Sequence, residues 1–137
     1  MSANILIASS AYEITDLVKE ALESLDYQVI PAKAMSLALF LAQKNLPDLI
    51  ILGATMMDGD PAAFMRELKS DLELKSVPTI LLVHANQDIQ ALKESNFAGV
   101  DDVMWLPIEK HKLRDELLPY IKKRQSTKEK REPQTPE

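Results

Sequence analysis

Two hydroxyl side chains, Ser9 and Ser10, stand where the sequence could best support chemistry, directly after the apolar run Ile5-Leu6-Ile7-Ala8. Hydroxyls and backbone N–H groups at the start of a helix can hold an anion. His84 and His111 are far apart and lack cysteine or carboxylate companions at metal-ligand spacing, so we expect no metal site. No nucleophile and base are placed together at this site, so we expect neither enzymatic activity nor a bound cofactor.

Composition indicates a single acidic domain. The 137 residues are 46% hydrophobic, which is enough for one packed core. The net charge of -5 would repel phosphate backbones, so we expect no direct nucleic-acid binding. The chain lacks cysteine, and no apolar run is long enough to span a membrane, so we expect a cytoplasmic protein without membrane insertion.

Short apolar runs alternate with amphipathic segments along the chain, which predicts five strands and five helices. The strands are predicted over residues 4–8, 27–30, 48–52, 78–83 and 103–106, and the helices over 14–25, 35–42, 61–68, 89–97 and 112–121. Strands this apolar must be covered on both faces, and strands joined through helices run parallel. The pattern therefore predicts an α/β fold, a three-layer doubly wound (βα)5 sandwich with a parallel five-stranded sheet. The expected strand order, 2-1-3-4-5, is taken from flavodoxin-like folds of this architecture and does not follow from the pattern itself.

The end of the chain differs in composition from the rest. Residues 122–137 lack apolar periodicity and hold six basic and three acidic residues. We therefore predict a domain over residues 1–121 and a charged, disordered tail or linker over 122–137. A basic patch that touches a partner or a lipid is the alternative for this tail. Pro119 is expected to kink the last helix or to end it near Leu118.

Several segments together carry a family resemblance. They are Asn4-Ile5-Leu6-Ile7 in the first strand, Leu46-Pro47-Asp48 before the third, Met56-Met57-Asp58-Gly59-Asp60 after it, Val77-Pro78-Thr79-Ile80 at the fourth, and the stretch from Gly99-Val100-Asp101-Asp102 to Pro107. Over residues 4–124 the chain resembles the CheY-like receiver domains of bacterial response regulators. The resemblance implies a role in two-component phosphorelay signalling, in which a receiver aspartate accepts a phosphoryl group from a histidine kinase.

The residues that this chemistry needs in the family are replaced here. Ser9 and Ser10 correspond to the magnesium-binding acidic pair of the family, and Gly53 to the phosphoacceptor aspartate. Val83 corresponds to the hydroxyl residue of strand four, Leu106 to the lysine of strand five and Val103 to the switch aromatic. These neutral or apolar side chains supply no hard-cation site, nucleophile or ammonium group. The nearest downstream carboxylates, Asp58 and Asp60, could reach the site only if their loop folded back.

Such replacements predict a degenerate pseudo-receiver, held in one state, that acts through protein–protein interaction without being phosphorylated. Drift in a nonfunctional copy is the alternative explanation of the same losses. A different functional class is a small-ligand or anion-binding protein, with its ligand in the crevice near Ser9 and Ser10.

Candidate interaction residues lie around the end of strand five. Trp105, with Met104 and Ile108 beside it, could form a docking surface for a signalling partner, because tryptophan is a frequent interface anchor. Core packing is an equal alternative for Trp105. Met56 and Met57 could likewise contact a partner or fill gaps in the core. The sequence leaves homodimer formation open.

Overall fold

The computed structural model of the chain describes residues 3–59, 61–84 and 99–131, with side chains up to Gln125. The strands are β1 (Ala3–Ala8), β2 (Tyr27–Ala32), β3 (Leu49–Leu52), β4 (Thr79–His84) and β5 (Asp102–Leu106). The helices are α1 (Tyr12–Leu22), α2 (Met35–Asn45), α3 (Pro61–Lys69) and α4 (Lys110–Arg131). The helix predicted over residues 89–97 lies outside the described residues.

The five strands form one parallel sheet in the order β2-β1-β3-β4-β5, as predicted. β1 lies between β2 and β3, and β2 and β5 are the two edges. Because all strands point the same way, their carboxyl ends meet at one end of the sheet, where Ser9 and Gly53 follow β1 and β3. That end is the place where open parallel sheets form their sites.

Two apolar cores lie on opposite faces of the sheet, which gives the predicted three layers. One core joins the sheet to α1 and α4, through side chains such as Ile14 and Leu117. The other joins it to α2 and α3, through side chains such as Ala38 and Phe64. β3 is buried on both faces, which explains why its sequence is apolar at every position rather than alternating.

The last helix is longer than the sequence indicated. α4 continues through Pro119 and ends at Arg131, so the predicted ends near Leu118 and at Ile121 are wrong. Arg124 is only 8% exposed, and its Nη1 donates a hydrogen bond to Ser76 Oγ at 2.9 Å. A charged residue with a long aliphatic stem can be buried in this way without any apolar periodicity. Residues 132–137, the rest of the predicted tail, lie outside the described residues.

Candidate functional site

Ser9 and Gly53 are in direct contact at the carboxyl ends of β1 and β3. The N–H of Gly53 donates to the carbonyl of Ala8 at 2.9 Å, which continues the pairing of the two strands by one residue. The Ser9 side chain is 2% exposed and accepts a hydrogen bond from the N–H of Ala11 at 3.0 Å. A β-carbon at Gly53 would lie 2.2 Å from Ser9 Oγ and 2.7 Å from Ser9 Cβ. Ser9 therefore occupies the space that a side chain at residue 53 would need.

Ser10 points to a different partner from Ser9. Its hydroxyl pairs with the hydroxyl of Thr55 at 2.8 Å, and its N–H donates to the Thr55 carbonyl at 3.0 Å. One hydroxyl is thus buried against Ala11 and the other is paired across to the loop after β3. This geometry does not favour an anion held jointly by the two serines, although anion binding at this crevice stays an untested prediction.

The other replaced positions are packed into the cores. Val83 is fully buried on the α2 and α3 side of the sheet, and Val103 is half-buried against the same core. Leu106 is buried on the opposite side, in the core that contains α1 and α4. Val83 and Leu106 therefore stabilise the fold from two different layers, and neither side chain has a hydrogen-bond donor to offer a phosphoryl group.

Asp58 caps a helix instead of reaching the site. Its carboxylate accepts hydrogen bonds from the N–H of Met35, from the N–H of Ser36 at 3.3 Å and from Ser36 Oγ at 2.6 Å. The Ser36 hydroxyl, followed by these backbone N–H groups, lowers the pKa of Asp58 below its ordinary value of 3.8. An aspartate at the amino end of a helix is stabilised in its charged form. Asp60 lies outside the described residues.

The two loop methionines separate into the two roles that the sequence left open. Met56 is buried in the core beside α2 and α3, where it fills space. Met57 is exposed, and its N–H donates to the Lys33 carbonyl at 3.0 Å, which joins the loops that follow β2 and β3. Met57 is therefore the one of this pair that a partner could reach.

A histidine–glutamate contact at this end of the sheet was not predicted. His84 Nε2 lies 2.9 Å from Glu13 Oε1, and this contact joins the last residue of β4 to the first turn of α1. Glu13, His84 and Leu106 line a cavity of 240 Å³ beside Pro107. No local sequence signal could have revealed the contact, because its two residues are 71 positions apart.

The predicted interaction residues differ in their exposure. Trp105 is 43% exposed on the edge strand, so its side chain is available to a partner. Met104 is only 4% exposed and packs into the core that contains α1 and α4, so it offers a partner very little of its side chain. The reason is strand alternation, which sends neighbouring side chains to opposite faces of the sheet. Ile108 is half-buried against the same core.

A groove of 360 Å³ runs beside Trp105. Its lining also contains Val103, Met104, Pro107, Ile108, Glu109, Lys112 and Glu116. The groove thus joins the exposed tryptophan and half-buried apolar side chains to a charged rim from the first turns of α4. An apolar centre with a polar border is typical of a protein interface.

Among residues 3–59, 61–84 and 99–131, no group of three or more histidine, cysteine, aspartate or glutamate side chains is placed to hold a metal ion. Within the same described residues, no helix has the length and apolar character needed to cross a membrane.

Comparison with known proteins identifies the type of domain. The chain is 31% identical to the KDP operon transcriptional regulatory protein KdpE of Escherichia coli (strain K12) over 104 residues, which cover 76% of this chain and 44% of that protein. It is 30% identical to the response regulator PleD of Caulobacter vibrioides over 112 residues, which cover 80% of this chain and 24% of that protein. The chain thus spans less than half the length of these curated relatives. No protein-family model matches it.

Solved structures agree with these relatives. The signal receiver domain of a signal transduction histidine kinase from Syntrophus aciditrophicus superposes with a TM-score of 0.76 at 27% identity, covering 88% of this chain and 90% of that one. The chain therefore carries a response-regulator receiver domain of the CheY-like type, a module of two-component signalling.

Proposed function

We propose that this receiver domain is a cytoplasmic pseudo-receiver that is not phosphorylated, is not itself an enzyme, and acts as an interaction module for a signalling partner. The observation that carries the proposal is the contact of Ser9 with Gly53. To accept a phosphoryl group, a receiver domain needs a carboxylate side chain at the end of β3. Here Gly53 has no side chain, and Ser9 occupies the space that one would need.

The surrounding residues support the same proposal. Phosphoryl transfer requires a divalent cation and groups that stabilise the charge of the transferred phosphate. Ser9 and Ser10 are poor ligands for magnesium, because this ion prefers carboxylate oxygens. Val83 and Leu106 are packed in the cores, so they leave no hydroxyl and no ammonium group there.

Signalling without phosphorylation needs a surface that a partner can recognise. Trp105 provides one on β5, with the adjacent groove lined by Val103, Ile108 and Lys112. An exposed tryptophan within a groove has the features of an interface anchor. We therefore expect the partner to contact Trp105 whether or not a phosphodonor is present.

The first half of the proposal is tested with a small phosphodonor. The full chain is incubated with acetyl phosphate and magnesium, and its intact mass is measured beside that of a receiver that carries the acceptor aspartate. We expect the control to gain one phosphoryl group and this chain to gain none. A stable aspartyl phosphate on this chain would overturn the proposal.

The second half is tested by comparing variants in partner capture from the native host. Trp105→Ala is compared with Leu72→Ala, which removes another exposed large side chain. We expect specific partners to be lost with Trp105→Ala, kept with Leu72→Ala, and unaffected by acetyl phosphate. Equal capture by both variants would place the interaction on another surface.

A further inference from the structure

Helix α2 exposes two large apolar side chains in addition to the apolar residues on its inward face. Ala38 and Ala42 are buried against the sheet, whereas Leu37 and Phe40, on the outward side, are 46% and 57% exposed. A surface helix normally carries polar residues opposite its apolar stripe. Leu37 and Phe40 therefore form an apolar surface that the described fold does not cover.

Lysines stand at both ends of this surface. Lys44 is one turn after Phe40, and its Nζ lies 5.9 Å from the centre of the Phe40 ring. Lys33 precedes the helix and contacts Tyr12, with its Nζ 3.9 Å from the ring centre and hydrogen-bonded to the phenol oxygen. We call Lys33, Leu37, Phe40 and Lys44 the α2 face. It is an exposed apolar centre between two cations.

The charge of the α2 face is opposite to that of the whole chain. The chain has a net charge of -5, yet no acidic residue occurs between Asp26 and Asp48, a stretch that includes Lys33 and Lys44. Asp58 approaches the amino end of α2, but its carboxylate is bonded to Ser36 and Met35. A positive surface on a negative protein is complementary to a partner with negative charge.

We propose that the α2 face docks an acidic amphipathic helix of a partner protein. The apolar stripe of such a helix would cover Leu37 and Phe40, and its carboxylates would pair with Lys33 and Lys44. Laying an amphipathic helix on an apolar surface is a recurrent mode of recognition. This inference does not depend on the absence of phosphorylation.

Three other modes of association at this edge of the domain are less favourable. A second copy packed antiparallel would bring Lys33 of one chain toward Lys44 of the other, which is repulsive. An anionic membrane is held by clusters of about four to eight basic residues, and this face has two lysines on a negative chain. Strand addition at the neighbouring edge strand β2 is hindered by Pro31, which has no N–H to donate.

The α2 face and Trp105 lie toward opposite edges of the sheet, because α2 packs against β1 and β2. α2 leads from β2 and Trp105 lies on β5, and these strands are the two edges of the sheet. Four inter-strand spacings of about 4.8 Å separate the edges, or about 19 Å in total. Occupation of one surface therefore leaves the other accessible, and the two can be tested separately.

The test uses a synthetic helical peptide of leucine and glutamate, with leucines at spacings of three and four. It is titrated into the ¹⁵N-labelled full chain and followed by NMR. We expect chemical-shift changes centred on residues 33–44. The same peptide with lysine in place of glutamate should bind about tenfold more weakly or not at all, because it would meet like charges.

Variants locate the binding surface. Phe40→Ala and the double variant Lys33→Gln/Lys44→Gln are each expected to weaken binding of the acidic peptide about tenfold. Trp105→Ala, at the other edge, should leave this binding unchanged. Circular dichroism and thermal unfolding confirm that each variant is folded.

Four results would overturn the proposal: shifts centred elsewhere on the domain, equal binding of the acidic and basic peptides, binding of the chain to anionic phospholipid vesicles in place of the peptide, or a dimer in sedimentation that Phe40→Ala disrupts. A loss of binding with Trp105→Ala would also contradict it. Acetyl phosphate treatment, which tests the pseudo-receiver proposal, has no bearing on these outcomes.

Discussion

Ser9 and Gly53 compete for one volume, since a β-carbon at residue 53 would lie 2.2 Å from Ser9 Oγ. Real β-carbons do not approach other atoms so closely without a bond. Ile14 Cδ1 would be a third neighbour, at 3.1 Å. A side chain at residue 53 therefore requires Ser9 or its surroundings to shift.

The first prediction is that Gly53→Ala destabilises the domain by about 1 to 3 kcal/mol, as overpacking does in other cores. Ser9→Gly removes both Ser9 atoms that obstruct the new methyl group. The double variant should therefore be more stable than the sum of the two single changes implies, by about 0.5 kcal/mol or more. Urea denaturation of the four proteins measures this coupling, and strictly additive effects would contradict it.

The second prediction concerns restoration of the acceptor. Gly53→Asp alone should lose stability and still not be phosphorylated, because Ser9 obstructs the new side chain and Ser9 and Ser10 supply no carboxylate for magnesium. Intact mass after acetyl phosphate treatment and melting curves with and without magnesium measure the two effects. Magnesium should not shift the melting temperature of this variant. A gain of one phosphoryl group on Gly53→Asp would show that the site is still competent.

The third prediction is a pH dependence at the amino end of α2. The pKa of Asp58 is lower in the folded protein than its ordinary value of 3.8, because the Ser36 hydroxyl and nearby backbone N–H groups bind the carboxylate. The ionised group thus stabilises the fold fully above pH 3.8, and the contribution is lost as the pH falls below 3.8 through the folded-state pKa.

Asp58→Ala should accordingly melt at a lower temperature than the unchanged protein at pH 7, with a gap that narrows below pH 3.8. Ser36→Ala removes the largest cause of the pKa shift. In a Ser36→Ala background, the difference in melting temperature between proteins with Asp58 and with Asp58→Ala should therefore be smaller. Thermal unfolding over a pH series provides the measurement. A gap that stays constant down to acid pH would exclude the carboxylate as its origin.

The fourth prediction concerns the end of the packed domain. A chain ended after Ile121 loses Arg124 and its hydrogen bond to Ser76, whereas one ended after Gln125 keeps both. The shorter chain and Arg124→Ala should each be destabilised by about 1.5 to 3 kcal/mol, the usual range for losing a hydrogen bond to a charged group. The chain ended after Gln125 should have nearly the same free energy of unfolding as the full chain. Equal stability of both shortened chains would contradict the role of Arg124.

The arrangement of strands could be predicted because apolar runs such as Ile50-Ile51-Leu52 indicate buried parallel strands, and the sheet order follows from the receiver resemblance. The length of α4 could not, because Arg124 is buried through a charged side chain that apolar periodicity does not detect.

The candidate site residues could be named one by one from the sequence, but their contacts could not. The pairing of His84 with Glu13 and the filling of space by Ser9 depend on the spatial overlap of distant strand ends. Met104 illustrates the same dependence on strand geometry. It adjoins Trp105 in the sequence, but strand alternation sends its side chain to the opposite face of the sheet. Local sequence indicates which groups are present, and strand register decides which of them meet.

The shared volume of Ser9 and Gly53 also has an evolutionary consequence. An aspartate at 53 arising by itself would reduce stability and return no chemistry, so selection would remove it before the other groups could be regained. A path to a larger residue at 53 would therefore begin with a change at residue 9. The shared volume thereby constrains the order in which substitutions at these two positions are tolerated.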